Sequence, residues 1–234
     1  TFRARLGVVT MIAFEAGVGH RRVSFSAPEF APQEYKQDSA DLGIVYRPGA
    51  ILSLSTGVSG ADTRYLAAAV GQTSPDRNRR RDFFVGANWV PTGASTVDAR
   101  LAYGKQDYDL ATAADFKGVT GALSWNWRPS GRLALVTALS RDSGRESGFL
   151  PTQQEGGITS ATDLAQVTNR LGVSADYEVT GKIGLSAGLS YARRTFVDGF
   201  SGASGRDNVT GLTVGARWAV TRTISLGCNA ARES

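Results

Sequence analysis

The chain has 234 residues, 28 of them glycine, and a formal charge of +5, with one cysteine, one histidine and one methionine. A single cysteine excludes a disulfide framework, and this supply of residues leaves almost nothing for transition-metal or thiol chemistry, so no cofactor is expected. No apolar run approaches the roughly 18 residues of a membrane helix. The arginines behind the excess charge are spread out and form no recognisable nucleic-acid-binding module.

Taken in order, the chain alternates. Residues 1–8 read as the end of a strand, and no leader pattern is visible at Thr1, as in a mature or trimmed chain. Ile12, Phe14, Ala16 and Val18 then interleave with Glu15, Gly17, Gly19 and Arg21. After a loop over residues 26–37, Ala40, Leu42, Ile44 and Tyr46 oppose Asp41, Gly43 and Val45, and Leu52, Leu54, Thr56 and Val58 follow. Residues 60–81 read as the longest polar loop, ending in the basic run Arg77, Arg79, Arg80 and Arg81. Phe83, Val85, Ala87 and Trp89 come next, then Val97, Ala99, Leu101 and Tyr103, with Phe84, Asn88, Asp98 and Arg100 on the opposite parity. A loop around residues 106–114 leads to Val119, Leu123, Trp125 and Trp127, and these to Leu133, Leu135, Thr137 and Leu139. Residues 143–163 read as another long loop. Leu171, Val173, Ala175 and Tyr177 oppose Arg170, Ser174 and Asp176, and Ile183 to Tyr191 runs back. A last loop, 197–206, precedes Leu212, Val214, Ala216 and Trp218, opposed by Thr213, Gly215 and Arg217, and a final strand with Ile224, Leu226 and Cys228. A period of two over these lengths means about twelve strands with one apolar face.

A unit repeats along the chain. Trp127-Arg128-Pro129-Ser130-Gly131-Arg132-Leu133 has counterparts that begin at Tyr46, Trp89, Tyr177 and Trp218. In each, an aromatic stands six residues before the first same-face residue of the next strand, and copies recur every 38 to 50 residues. Pro129 and Gly131 are expected to make a tight turn, the glycine at positive φ. A weaker copy stands at Val9 to Ile12. Even offsets keep both arms of a hairpin on one face.

Short turns therefore alternate with long polar loops, as in outer-membrane barrels. Tyr46, Trp89, Trp127, Tyr177 and Trp218 all fall at the short-turn end of the apolar face, where an aromatic girdle would meet one membrane interface. The reading is an all-β, antiparallel up-and-down transmembrane barrel, one domain over residues 1–234, in the bacterial outer membrane. The opposite parity makes Asn88, Asp98, Arg100, Asn126, Arg170, Asp176 and Arg217 the expected lumen lining. A soluble β-sandwich binding protein would also alternate and is the competing fold.

The order of several stretches resembles the putative β-barrel porins, and more narrowly the exosortase-associated outer-membrane proteins of exopolysaccharide biosynthesis (EpsL-like). These are Phe14-Glu-Ala-Gly-Val-Gly19, Trp89-Val-Pro-Thr-Gly93, Trp127-Arg-Pro-Ser-Gly131 with Leu139-Ser-Arg-Asp142, Leu189-Ser-Tyr-Ala-Arg-Arg194 and Ala231-Arg-Glu-Ser234. The resemblance implies a barrel that helps secrete a polymer, and it implies no catalytic residues. Members of that family are longer, so this chain is expected to be truncated at both ends and the barrel to be larger.

The function expected is a pore or secretion component for a polar polymer, exopolysaccharide by the resemblance, with no enzymatic activity. A non-conducting anchor or assembly partner is the alternative. His20 is the only histidine, and a hydrolase would need it in a triad that nothing in the sequence assembles. Outer-membrane lipid, lipopolysaccharide, exopolysaccharide and its assembly machinery are the expected partners, with no nucleic acid. Arg77, Arg79, Arg80 and Arg81 are the candidate lipopolysaccharide or anion contacts, through paired guanidinium forks on an external loop.

Overall fold

The computed structural model describes residues 1–7, 10–26, 34–67, 74–110, 115–143, 164–198, 204–221 and 223–234, with backbone only at 164–166 and 197–198. The strands are β1 (Phe2–Leu6), β2 (Ile12–Val23), β3 (Tyr35–Tyr46), β4 (Leu52–Tyr65), β5 (Arg77–Thr92), β6 (Ser95–Tyr108), β7 (Phe116–Ser130), β8 (Leu133–Ser143), β9 (Leu164–Thr180), β10 (Ile183–Asp198), β11 (Ser204–Ala219) and β12 (Ser225–Glu233). All twelve lie in one sheet in sequence order, each antiparallel to the next, with β1 and β12 at its two edges. No helix among the described residues is long and apolar enough to cross a membrane.

The alternation dictates the faces. Leu42, Leu101 and Leu226 point outward and are 60%, 58% and 56% exposed. A sandwich would cover such residues with a second sheet, and among the described residues there is none. The competing fold is thereby excluded. The opposite face is concave, and its core lies on β2 to β7, where Ala13, Val45, Phe84, Ala102 and Thr120 are buried.

The sequence repeat is also a hydrogen-bonded repeat. The residue after each girdle aromatic (Arg47, Val90, Arg128, Glu178 and Ala219) donates its N–H to the turn of the preceding hairpin, at Met11, Ile51, Ala94, Arg132 and Lys182, each at 2.7 Å. Three of the turns share a register shift one step from the tip, between Trp89 and Thr92, between Trp127 and Ser130, and between Ile183 and Gly184. Pro91 and Pro129 sit inside two of these irregularities, where a missing N–H costs no ladder bond. Gly131 does not use positive φ. Among the described residues only Gly7, in the turn between β1 and β2, does so, at 84°.

The strands run further toward the long-loop end than expected. β4 continues to Tyr65, β5 starts at Arg77 and β6 reaches Tyr108. The basic run is therefore strand, not loop, because ladder pairing to β4 and β6 satisfies its backbone despite its polarity. Residues 144–163, expected as a long loop, lie outside the described residues, as do 8–9 of the weak turn copy.

Candidate functional site

The concave face is built by every second residue of each strand. On β5 these are Asn78, Arg80, Asp82, Phe84, Gly86 and Asn88. Arg80 crosses the curve. Its Nε lies 2.6 Å from Asp82 Oδ2, its Nη1 donates to the Ser143 carbonyl at 3.1 Å, and its Nη2 donates to Thr120 Oγ1 at 3.4 Å. Those contacts join β5 to β7 and β8 across the interior, so the sheet is tightly curled there. Lower down, the Arg100 guanidinium sits 3.8 Å from the centre of the Phe84 ring. A cation on an aromatic face is held by the ring quadrupole.

Toward the long-loop end the same face opens into a cavity of about 530 Å³. Tyr35, Tyr65 and Tyr108 line it with Arg21, Gln37 and Gln106. Tyr35 and Tyr65 pack edge to face at 6.3 Å, and the Arg21 guanidinium lies 5.8 Å from the Tyr35 ring centre. Gln106 Nε2 donates to Tyr108 Oη at 2.9 Å, while its buried Oε1 accepts no hydrogen bond among the described residues. Aromatic faces beside amide and guanidinium groups suit a polar, hydroxyl-rich ligand.

The expected lining residues all take the concave parity, but they are not brought to one place. Asn88 Nδ2 donates to Asp98 Oδ1 at 2.6 Å near the short-turn end. Asn126 Nδ2 reaches Ser124 Oγ at 3.4 Å. Arg170 Nη1 lies 3.6 Å from Asp142 Oδ2. Arg100 is packed on Phe84 rather than extended into open space. Asp176 and Arg217 stand exposed on β9 and β11.

The girdle residues Tyr46, Trp89, Trp127, Tyr177 and Trp218 point outward and are 38% to 50% exposed. Trp125 stacks on Trp127 at 5.3 Å and 13°, which makes the girdle two rings deep on β7. Cys228 is exposed on β12. His20 Nδ1 lies 2.7 Å from Asp38 Oδ1, with both side chains exposed.

The basic run splits by parity. Arg77, Arg79 and Arg81 share the face of Phe83, whereas Arg80 turns inward with Asp82. The run is therefore strand and not loop, and one member faces away from the other three. Beyond the apolar belt, Arg77 clamps Asp62, with Nε 2.9 Å from Oδ1. That hydrogen bond holds the Asp62 carboxyl below its ordinary range, against the opposing effect of burial. The Arg80 network and the tyrosine cavity were missed because their stretches are polar. The unbroken parity from Asn78 to Asn88 was the signal that could have found them.

No curated protein matches the sequence. Among solved structures, the copper transporter OprC aligns with a TM-score of 0.53 at 10% identity, over 99% of this chain and 42% of its own. The ferric yersiniabactin uptake receptor FyuA of Yersinia pestis aligns with a TM-score of 0.48 at 15% identity, over 95% of this chain and 39% of its own. The chain thus spans about two fifths of the length of these proteins. At such identities the likeness is one of fold, that of outer-membrane barrels. The outward apolar belt and its girdle fit that setting, and the protein is one of the bacterial outer membrane. A family model described as putative beta-barrel porin 2 matches residues 83–234, well over half of the chain, and the protein belongs to that family.

Proposed function

We propose that the barrel is a passive pore or secretion component for a polar polymer, with exopolysaccharide as the cargo suggested by the sequence resemblance. One observation carries the reading: a polar, mixed-charge concave face runs the length of the strands and ends in the tyrosine-lined cavity. In this reading Asn88, Asp98, Arg100, Asn126, Arg170, Asp176 and Arg217 line the lumen. Many weak, dispersed contacts of this kind wet a hydroxylated chain and still release it. No residue is assigned a catalytic role, and the His20–Asp38 pair serves the outward surface. Polymer-assembly proteins are the proposed partners.

The test is single-channel conductance of the full-length protein in a planar bilayer, with and without a candidate polysaccharide. Stable conductance that the polymer blocks supports the conduit. A folded, inserted protein that never conducts refutes it in favour of a structural anchor. The anchor reading draws on a specific observation: Phe84, Arg100 and the Arg80–Asp82 pair partly fill the curled side.

A further inference from the structure

The apolar belt ends on β5, β6 and β7 at Phe83, Tyr103 and Val119, which are direct cross-strand neighbours and 54%, 54% and 49% exposed. Two residues further toward the long-loop end, on the same outward parity, stand Arg81, Lys105 and Lys117. They too are direct neighbours: Arg81 pairs with Lys105, and Lys105 with Lys117. Adjacent strands are about 4.8 Å apart, so three cations are concentrated over roughly 10 Å of sheet. Like charges placed directly opposite are destabilising. Among the described residues Lys105 has one ion-pair partner, Asp107 Oδ1 at 2.6 Å, on its side away from the belt. Among the described residues Arg81 and Lys117 have no ion pair.

The outward cations of β4 and β5 beyond this row are compensated by carboxylates, whereas Arg141 on β8 donates to the Val119 carbonyl at 3.0 Å and to Asn169 Oδ1 at 3.1 Å and has no ion pair among the described residues. Arg79 pairs with Asp109 at 3.2 Å, and Arg77 and Arg64 share Asp62. The row Arg22, Lys36 and Arg64 lies one tier further from the belt, behind His20, Asp38 and Asp62. Across β9 to β11, the tier above Tyr191 has only Arg193, between Asn169 and Asn208. A row of three cations that shares one carboxylate, Asp107, therefore borders the apolar edge on one sector, with Arg141 beside it on β8. An anion with apolar chains attached would satisfy both: its charge on the three cations, its chains along Phe83, Tyr103 and Leu101.

We propose that Arg81, Lys105 and Lys117 form a clamp for a phosphate group of lipid A. Long loops face outward and short turns the periplasm in barrels of this type, which puts the clamp in the outer, lipopolysaccharide leaflet. Arg81 supplies a planar fork for two phosphate oxygens, and the two lysines act as point charges around it. The clamp is independent of what the pore carries.

The test compares the full-length protein with an Arg81→Gln/Lys105→Gln/Lys117→Gln variant, and with Arg128→Gln/Arg132→Gln/Lys182→Gln, which removes equal charge at the short-turn end. Lipopolysaccharide retained per folded barrel after detergent purification is measured by mass spectrometry, and heat-modified gel mobility confirms folding. The clamp variant is expected to lose roughly tenfold or more of the retained lipid, given the contribution of each cation near an anionic surface, while the control keeps it. Added lipid A is expected to raise the melting temperature of the wild type but not of the clamp variant, with dephosphorylated lipid A and inorganic phosphate having little effect. Equal retention in the two variants overturns the proposal. So does an equal shift from inorganic phosphate, which would mean a free-anion site, or from dephosphorylated lipid A, which would mean acyl contact alone.

Discussion

The concave faces of β4 to β7 and of β9 to β11 share one alternating pattern and end in different states. In the first region Phe84 is 8%, Gln106 5% and Thr120 1% exposed. In the second, Ser174, Asp176, Ser186, Thr213 and Arg217 are exposed, and among the described side chains only Thr168, paired with Asp142 of β8, is buried. The difference lies in reach. Phe84 leans over Gly57 and Gly43, Arg100 covers Phe84, and Arg80 bridges to Ser143. The second region offers Gly172, Ser174, Gly184, Ser186, Gly188 and Ser190, which are too short to cross the interior. Period-two polarity thus specifies a face, while side-chain length and curvature specify whether that face is filled.

Two glycines separate the regions most sharply. A β-carbon at Gly57 would run into the Leu42 carbonyl oxygen and press on the Phe84 ring, whereas one at Gly172 meets nothing within 4 Å. Gly57→Val is expected to block folding, seen as loss of heat-modified gel mobility. Gly172→Ala should shift stability by less than about 0.5 kcal/mol in urea unfolding. Equal behaviour of the two would contradict the packing described.

Next in size is the Arg80–Asp82 pair, whose side chains are 16% and 8% exposed. Arg80→Met leaves a buried carboxylate without its partner and is expected to cost about 3–5 kcal/mol. Adding Asp82→Leu should recover much of that loss. Arg217→Met, on the open region, should be near neutral in the same measurement.

Solvent access should divide the two regions as well. In a Cys228→Ser background, Ser186→Cys is expected to react quickly with a water-soluble thiol reagent and Thr120→Cys slowly. Leu133→Cys, Leu185→Cys and Val214→Cys, on the belt, should be shielded in lipid. Labelling of Thr120→Cys at the rate of Ser186→Cys would show that the curled region opens in solution.

The smallest expected effect is at the rim. Asp62 titrates below its ordinary value of 3.8 because Arg77 donates to it. A depressed carboxyl contributes stability above its unfolded value and loses it as pH falls through the folded one. The stability gap between wild type and Asp62→Asn should therefore be present near neutrality and shrink below about pH 4, and a gap that widens in acid would reverse the assignment.

Most of the architecture was legible in the chain. The number of strands, their outward faces and the short-turn end follow from period-two alternation and a repeated turn, which depend on residues close in sequence. Strand ends at the long-loop side were misjudged, since polar stretches such as Arg77 to Arg81 gain ladder partners that composition does not reveal.

The site was legible only in part. Parity put Asn88 and Asp98 on one face, and they do meet. It could not show that Arg80 reaches Ser143 on β8, that Arg100 stacks on Phe84, or that Arg81, Lys105 and Lys117 stand side by side. Those juxtapositions come from register and curvature, which join residues tens of positions apart. Local alternation holds for any register that keeps the faces, so only the assembled sheet selects one.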